Sequence, residues 1–321
     1  MSDKLSAQIT RFAGDKRAAV SLTFDDGYDM NSARFFNDEM KKNGLYGTIN
    51  MTWGFVEKHV EEWNAILDEG VFDAANHSFG HCINYGTSEN VTTEMLEHDI
   101  SDAYALLKEH FPTQSFLVYA TPFGGMSDES MAIIKRHHVA NRLGEPLKYY
   151  TEPLTASDIF EIPGFAALNT TTTEELNRIT DEAIRIGAYY VEIYHQYAPD
   201  EVQANRITVK ESVAREHFAY LGTKHGEMWT PSYTQMTKYV LEAENTVLDT
   251  ERDGDKIRVT LRCSLDPSLY DYPLTVKVAL PAGWEVVAAA GARAFSVKEE
   301  NGTRYAVAEA MPGATVTIHK G

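Results

Sequence analysis

The sequence has few cysteines, few basic residues and no long apolar run. Its 321 residues include 2 cysteines, Cys82 and Cys263, which lie far apart in the chain. This count implies no disulfide framework and fits an intracellular or redox-indifferent protein. Lys and Arg number 29 against 47 Asp and Glu, so the formal net charge is -18. That balance argues against nucleic acid and anionic membranes as partners.

No apolar run approaches the length of a membrane span, so we predict no transmembrane segment. Residues 1–8 contain no apolar signal core, and we therefore expect a cytoplasmic protein, unless a signal was removed beforehand. The chain is 43% hydrophobic and 24% charged, which is the composition of an ordinary globular protein. The sequence leaves the oligomeric state open.

Strand-like and helix-like segments alternate over the first two thirds of the chain. Such alternation predicts parallel strands, and about seven strand–helix units predict an α/β fold in the form of a distorted (β/α) barrel. The predicted strands are 20–24, 46–53, 72–77, 115–121 and 188–194, with weaker ones at 138–143 and 159–162. The predicted helices are 32–42, 61–69, 93–110, 127–137, 173–186 and 210–244, the last interrupted near 230–231.

The pattern changes after about Asn245, where short alternating segments and turn signals replace the helices. We therefore predict two domains, a barrel at residues 1–245 and a small antiparallel β-sandwich at 246–321. Asn301-Gly302-Thr303 matches a glycosylation triplet, but its position between two strand-like segments favours a hairpin turn. The sandwich could bind glycan, mediate dimerisation or brace the barrel, and we take bracing as the simplest expectation.

Two adjacent carboxylates end the first predicted strand. Val20, Leu22 and Phe24 alternate with polar residues and lead into Asp25-Asp26-Gly27. Side chains of consecutive strand residues point to opposite faces, so both acids can face one site only where the strand ends. A glycine allows that change of backbone direction. The pair is expected either to supply a metal ligand and a general base or to form a surface turn.

Two other predicted strands also end in polar residues. Asn76-His77-Ser78-Phe79-Gly80-His81 follows one strand, and Glu192-Ile193-Tyr194-His195 ends another. Histidines four residues apart can share a metal on one turn, although a single histidine is more often structural. Two histidines and one carboxylate from separate strand ends would leave coordination positions open, which is typical of a catalytic metal site.

These motifs together resemble the polysaccharide deacetylase family, also called the NodB-homology domain. The first family motif stands complete as Thr23-Phe24-Asp25-Asp26-Gly27, and the second is His77 to His81 with its preceding Asn76. The third is similar to Thr121-Pro122-Phe123-Gly124, and the fifth to Ile193-Tyr194-His195. The four motifs occur in the family's order, and the resemblance covers about residues 15–240.

The resemblance implies a role for each matching residue. Asp26, His77 and His81 would bind a divalent metal, usually zinc in this family. Asp25 would be the general base and His195 the general acid, and the backbone N–H of Phe123 would bind the oxyanion. Amide hydrolysis needs these elements, because water must be activated and the leaving amine must be protonated. Candidate substrate-binding residues are Pro122, Trp229 and Tyr197.

The sequence departs from the family pattern at two places. Many members carry an arginine that contacts the base two residues before the proline of the third motif, where this chain has Ala120. We therefore expect the base to be held differently. The fourth motif, whose carboxylate orients the acid histidine, has no clear match, and Asp158 and Glu161 are the candidates.

Three functions follow as hypotheses. The first is a metal-dependent hydrolase that removes N-acetyl groups from an amino-sugar glycan, chitin-like or peptidoglycan-like. The second is a deformylase or deacetylase of a small or nucleotide-linked sugar in surface-glycan synthesis. The third is a glycan-binding module whose active site has decayed, which Ala120 and the missing fourth motif suggest. All three hypotheses predict that the protein binds a carbohydrate.

Overall fold

The computed structural model describes residues 6–284 and 286–320, and at residues 286 and 287 it describes the backbone alone. The chain divides into two compact units. One is Ala18–Thr237, and the other combines the described residues of Met1–Arg17 with those of Lys238–Gly321.

The strands, numbered in chain order, fall into parallel strands of the first unit and antiparallel strands of the second. They are β1 Ala7–Ile9, β2 Ala18–Asp26, β3 Gly47–Met51, β4 Phe72–Asn76, β5 Val118–Ala120, β6 Ala140–Arg142, β7 Phe165–Ala166, β8 Tyr189–Tyr194, β9 Gln196–Ala198, β10 Thr208–Lys210, β11 Met228–Trp229, β12 Thr246–Asp253, β13 Lys256–Cys263, β14 Leu274–Ala279, β15 Val286–Ala290, β16 Ala294–Glu300, β17 Thr303–Ala310 and β18 Thr315–Lys320.

The α-helices are α1 Met30–Lys42, α2 Trp53–Val56, α3 Val60–Leu67, α4 Thr93–Glu97, α5 Ala103–His110, α6 Asp128–His137, α7 Thr173–Ile186, α8 Glu211–Gly222 and α9 Tyr233–Glu244. A π-helical turn, His98–Asp102, joins α4 to α5. Short 3-10 turns lie at Ala13–Asp15, Glu57–His59, Pro122–Gly124 and Asp158–Phe160. Within the described residues, no helix is long and apolar enough to cross a lipid bilayer.

Seven parallel strands form a curled half-barrel in the first unit, in the order β6-β5-β4-β3-β2-β8-β7. Every neighbouring pair on this path is parallel, so the carboxyl ends of the strands meet at one edge. The predicted distorted barrel is thereby confirmed. Loops at the carboxyl edge of such a sheet are where binding and catalytic residues collect.

Strand β2 is central, and all nine of its residues are buried. The Phe24 ring packs against the rings of Phe36, Phe72 and Tyr194, with centroids 4.7, 5.1 and 5.3 Å away. Burial of one such phenylalanine is worth about 1.5–3 kcal/mol. Apolar side chains thus hold β2 in the middle of the sheet and deliver its last two residues to the carboxyl edge.

Helix α7 shows how local sequence sets an element, and its bounds match the predicted helix. The Thr172 side chain accepts from the backbone N–H of Glu175 and caps the amino end. Gly187 ends the helix in the left-handed conformation, with φ 69°. Leu176, Ile179 and Ala183 are buried at the three- and four-residue spacing of one helix face.

One secondary-structure prediction was wrong, and one predicted helix contains an interruption. The weak strand expected at 159–162 is a 3-10 turn followed by a single bridge between Arg142 and Ile162. Helix 93–110 exists, but the π-turn interrupts it and Met95 is 43% exposed. Leu96, rather than Met95, continues the buried face with Ile100, because four residues separate them.

The second unit consists of two antiparallel four-stranded sheets, β1-β14-β17-β16 and β12-β13-β18-β15. Asn301 and Gly302 have φ 49° and 77° and join β16 to β17, so the triplet forms the hairpin turn. Strand β1 pairs with β14, which places the described residues before Ala18 in this unit. Grouping by contacts therefore differs from the predicted division at 245/246, because sequence pattern does not report such long-range pairing.

Glu242 in α9 makes the stability of the second unit sensitive to pH. It is fully buried, one carboxylate oxygen accepts from the Tyr272 N–H at 2.9 Å, and Oε2 has no partner among the described residues. Burial raises the pKa of Glu242 from 4.5 to about 7, against the smaller opposing effect of the Tyr272 N–H. The folded state therefore favours the protonated form.

We expect the contribution of Glu242 to the free energy of unfolding to be most favourable below pH 4.5 and to fall as the pH rises toward about 7. Glu242→Gln should flatten this decrease, since the glutamine does not ionise. Urea unfolding at several pH values across this window measures the effect. The exposed Glu244→Gln in the same helix is the matched control, and equal pH profiles for the two variants would contradict the assignment.

Candidate active site

Two carboxylates lie side by side at the end of β2, and both are 6% exposed. Asp26 adopts φ 77° and Gly27 φ 79°, so the strand leaves the extended conformation at Asp26 itself. Aspartate tolerates this left-handed region better than most residues. The backbone change breaks the alternation of faces and brings both side chains to the same cavity. The sequence had placed this change at the glycine, one residue later.

Asp26, His77 and His81 form a cluster of metal-binding side chains. One ligand atom from each lies within 4.8 Å of the other two. His77 Nε2 and His81 Nε2 are 3.8 and 3.6 Å from Asp26 Oδ1. The histidines come from the loop after β4, and the Ser78 hydroxyl accepts from the His81 N–H at 2.9 Å.

The donor atoms of this cluster suit a cation. His77 Nδ1 donates to the Ala120 carbonyl oxygen at 2.7 Å, which leaves Nε2 with its lone pair. His77 Nε2 and Asp26 Oδ1 are buried without a hydrogen-bond partner among the described residues. Burial lowers the pKa of His77 to about 3 and also lowers the pKa of His81, so both rings are neutral near pH 7. Neutral imidazoles and a carboxylate are typical zinc ligands.

The charge of Asp26 is unfavourable without such a cation. Burial raises the pKa of Asp26 to about 6, His195 opposes the shift, and the charge of Asp25 adds to it. A divalent ion would remove this cost, because it favours the ionised carboxylate.

Asp25 is held by an arginine that the sequence analysis did not identify. Arg142, at the end of β6 and 2% exposed, forms an ion pair with Asp25 Oδ1, and Asn50 donates to the same oxygen at 2.7 Å. Burial alone would raise the pKa of Asp25, but Arg142, then His77 and His195, and Asn50 together hold it well below its ordinary value. Asp25 is therefore ionised at neutral pH.

Arg142 lies on the strand next to the one that carries Ala120, whose position holds an arginine in many family members. The expected change in how the base is held thus takes a specific form, since the guanidinium comes from β6 instead of β5. A signal was present in the sequence, because an arginine in a short apolar strand needs a buried partner.

His195 follows β8 and faces the same cavity. Its Nε2 is 3.8 Å from Asp25 Oδ2, and its buried Nδ1 has no hydrogen-bond partner among the described residues. Asp158 instead accepts from the Thr155 backbone and hydroxyl, and both it and Glu161 are exposed. The structure therefore does not bring either predicted orienting carboxylate to His195.

Glu192, the other acid near this strand end, faces away from the site. It is fully buried and paired with His217 at 3.1 Å, and it also accepts from the hydroxyls of Tyr190 and Tyr194. Ile193 lines the cavity, and Glu192 lies on the opposite face of β8, because successive strand residues alternate. Glu192 is thus part of a buried polar network behind the sheet.

A cavity of about 320 Å³ opens in front of these groups. Asp25, Asp26, His81 and His195 form its polar floor. The rest of its wall is partly apolar and includes Ala166, Leu168, Ile193 and Ile207. Its size and its mixture of apolar and polar lining residues suit a small-molecule or sugar-ring site.

Of the other predicted site residues, only Phe123 lies at this cavity. Its φ is 58°, its side chain is 59% exposed, and its ring lies 4.4 Å from that of His81. Pro122 is buried in the same 3-10 turn. Tyr197 stacks on Phe35 with centroids 3.9 Å apart, so it packs against α1.

Trp229 lies at the opposite end of the sheet from the cavity. Its strand pairs with the start of β2, where Trp229 is opposite Ala19. Six strand residues separate Ala19 from Asp25, which is about 20 Å at the usual rise per residue. Trp229 and Tyr197 were chosen because they follow the His195 strand in the sequence, and sequence position alone does not report which edge of the sheet a loop returns to.

Comparison with known proteins supports a particular family. Residues 13–141 match the model of the family described as polysaccharide deacetylase. A gellan lyase from Bacillus sp. is 22% identical over 330 residues, which cover 95% of this chain. The chain spans only 13% of the length of that curated relative.

Solved structures similar to this chain include three proteins of this kind, each aligned over 68% of the chain. A peptidoglycan deacetylase from Bacillus subtilis is 19% identical, with 89% of its chain covered and a TM-score of 0.46. A CE4-family pseudoenzyme from Bacillus anthracis is 13% identical, with 65% covered and a TM-score of 0.47. A T48 deacetylase solved with substrate is 14% identical, with 90% covered and a TM-score of 0.45.

The Arg142–Asp25 pair predicts a large effect on stability. Arg142→Leu should lower the free energy of unfolding by about 3–5 kcal/mol, because it leaves a buried carboxylate without its counter-charge. Urea unfolding near pH 7 with a chelator present measures the change. Arg34→Leu is the matched control, since Arg34 and Glu62 form an exposed pair worth at most about 1 kcal/mol. Equal losses in the two variants would contradict the ion pair's importance.

Proposed function

We propose, from the premise that the barrel belongs to the polysaccharide deacetylase family, that this chain is a metal-dependent hydrolase of N-acetylated amino sugars in a glycan. The match of residues 13–141 to the family model supports the predicted family and the enzyme class, a hydrolase of amide bonds in acetylated sugars. The metal, the substrate and the individual residue roles are the proposal. Its single strongest support is the cluster of unpartnered donor atoms on Asp26 and His77, directly beside the ionised Asp25.

Asp26, His77 and His81 would hold a divalent cation, for which we propose Zn²⁺. Such an ion lowers the pKa of a water molecule and polarises a carbonyl group. Two neutral imidazoles and one carboxylate leave open positions for water and substrate, which is the ligand set of a catalytic zinc site rather than a structural one.

Asp25 is the proposed general base. Arg142 keeps it ionised, so it can accept a proton from the attacking water. Its other oxygen, Oδ2, is 3.7 Å from His77 Nε2 and 3.8 Å from His195 Nε2, so it faces the space between the metal ligands and the acid. The carboxylate is therefore fixed on one side by Arg142 and Asn50 and free on the side of the reaction.

His195 is the proposed general acid, and Phe123 the oxyanion donor. His195 Nε2 faces Asp25 across the cavity, where it can give a proton to the leaving amine nitrogen. The left-handed backbone at Phe123 turns its peptide group at the cavity rim, and its N–H would bond to the oxygen that gains negative charge. The apolar wall near Ile193 suits the methyl group of an acetyl substituent.

Removing one metal ligand tests whether the cluster binds a metal. We expect about one zinc or similar ion per purified chain by elemental analysis, and we expect His77→Ala to lose it, because three-ligand sites rarely keep a metal with two. His59→Ala is the matched control, since His59 pairs with Glu62 away from the cluster. Wild-type protein that takes up no zinc, cobalt or iron would contradict the proposal.

Asp25→Asn should separate chemistry from metal binding. We expect kcat for acetate release from N-acetylated amino-sugar oligosaccharides to fall at least about 100-fold, because asparagine cannot accept the proton. Metal content should stay at the wild-type level, since Asp25 is not in the three-residue cluster. Unchanged turnover would refute Asp25 as base, and tight sugar binding without turnover by the metal-loaded wild type would indicate a binding module instead.

A further inference from the structure

The loop that carries His77 and His81 contains two residues in a backbone conformation that is unfavourable for residues other than glycine. Ser78 and His81 have φ 79° and 52°, in the left-handed region. Each such residue costs on the order of 1 kcal/mol or more, and it persists only where the surroundings hold it. Some group outside the loop must therefore supply that restraint.

Asp99 supplies contacts of this kind. Its side chain is buried, with 4% of the residue exposed, and its Oδ1 accepts from the backbone N–H groups of Phe79 and Gly80 at 3.1 and 3.2 Å. Its backbone carbonyl accepts from the same Phe79 N–H at 2.8 Å. Hydrogen bonds that a carboxylate accepts from two successive N–H groups are charge-assisted. They fix the orientation of the peptide groups between the two histidines.

A pair of tyrosines holds the other oxygen of the Asp99 carboxylate. The Tyr85 hydroxyl donates to Asp99 Oδ2 at 2.8 Å, and the Tyr119 hydroxyl lies 2.5 Å from that of Tyr85. All three residues are buried. Both carboxylate oxygens are thus occupied, one by the loop and one by this tyrosine pair, so the carboxylate has little freedom to turn.

The π-helical turn explains why Asp99 points inward. Asp99 lies in His98–Asp102, where the helix between Thr93 and His110 contains one π-turn. Such insertions are frequent at functional sites, because they shift the residues that face a neighbour. The carbonyl of the next residue, Ile100, accepts from the Asn76 side chain at 3.1 Å, so the same turn also holds the residue before His77.

We propose that Asp99 is a positioning residue for the metal site, which presents His77 and His81 in binding geometry through the N–H groups of Phe79 and Gly80. The inference rests on the proposed function, since it assumes that the cluster binds a metal. It assigns a role to a residue that carries no motif and touches no predicted ligand atom. Outer partners of metal ligands typically change affinity 10–100-fold when removed.

The experiment measures Co²⁺ affinity by competition with a chelator, read from the visible absorption of the cobalt-loaded protein. Asp99→Leu should weaken binding at least about tenfold, because the two loop N–H groups lose their acceptor. Asp99→Asn should stay within about threefold of wild type, since its amide oxygen can accept from both N–H groups while its NH₂ faces Tyr85. This rescue by the neutral isostere would separate positioning from a charge effect.

Asp102→Leu is the matched control, because Asp102 lies in the same π-turn with its side chain 63% exposed. Its affinity should equal that of wild type. Thermal unfolding of each variant without metal checks folding. If Asp99→Leu does not fold, the double variant Asp99→Ala/Tyr85→Phe replaces it, since it also removes the Tyr85 hydroxyl that bonds to Asp99 in the wild type.

The outcomes separate the two proposals. Wild-type protein that binds no Co²⁺ refutes the metal site and with it the proposed function. Wild-type protein that binds Co²⁺, together with folded Asp99 variants that bind it equally well, refutes the positioning role alone.

Discussion

Two ionised carboxylates buried side by side at the end of β2 are the constraint on which the site depends. Like charges this close raise the pKa of at least one group unless positive charge is near. The surroundings of the two carboxylates differ. Asp25 has a permanent counter-charge in Arg142, whereas the groups closest to Asp26 are the imidazoles of His77 and His81, and its pKa is the higher one, about 6. These unequal environments support the two different roles proposed for the adjacent aspartates.

The parallel sheet brings the remaining groups to the same place. Its strands end at one edge, and the ends of β2, β4, β6 and β8 carry Asp25 and Asp26, His77, Arg142 and His195 to that edge. Aromatic packing around Phe24 keeps the central strand fixed, and the polar side chains follow where the apolar strand stops. Function therefore lies on short strand-end segments whose position is set by the apolar interior.

Backbone strain is concentrated at these ends. Four non-glycine residues of the site, Asp26, Ser78, His81 and Phe123, have positive φ. Conformations of this kind are unfavourable alone and gather where a site needs side chains or peptide groups at unusual angles. At Ser78 a hydrogen bond from outside the loop offsets part of this cost, since Asp99 accepts from the N–H of the next residue, Phe79. The order of the site thus depends on residues that do not line the cavity.

Much of this could be predicted from the sequence, because the relevant information is local. Period-two and helical patterns located most elements, and the pairs Asp25-Asp26 and His77–His81 are recognisable from spacing alone. Arg142 escaped prediction because its partner lies far away in the chain, and Asp99 because a π-turn shifts the helical face. Trp229 and Tyr197 were chosen by chain proximity to His195, which does not determine position in space.

The sequence by itself determined the alternation of strands and helices, the resemblance to a family and the residue types of the cluster, since these depend on side chains close together along the chain. Only the tertiary structure decided which arginine neutralises Asp25, that His195 Nδ1 lacks a carboxylate partner among the described residues, and that β1 joins the C-terminal sheets. Those outcomes depend on strand order and on burial, and both arise from contacts between residues far apart in the sequence.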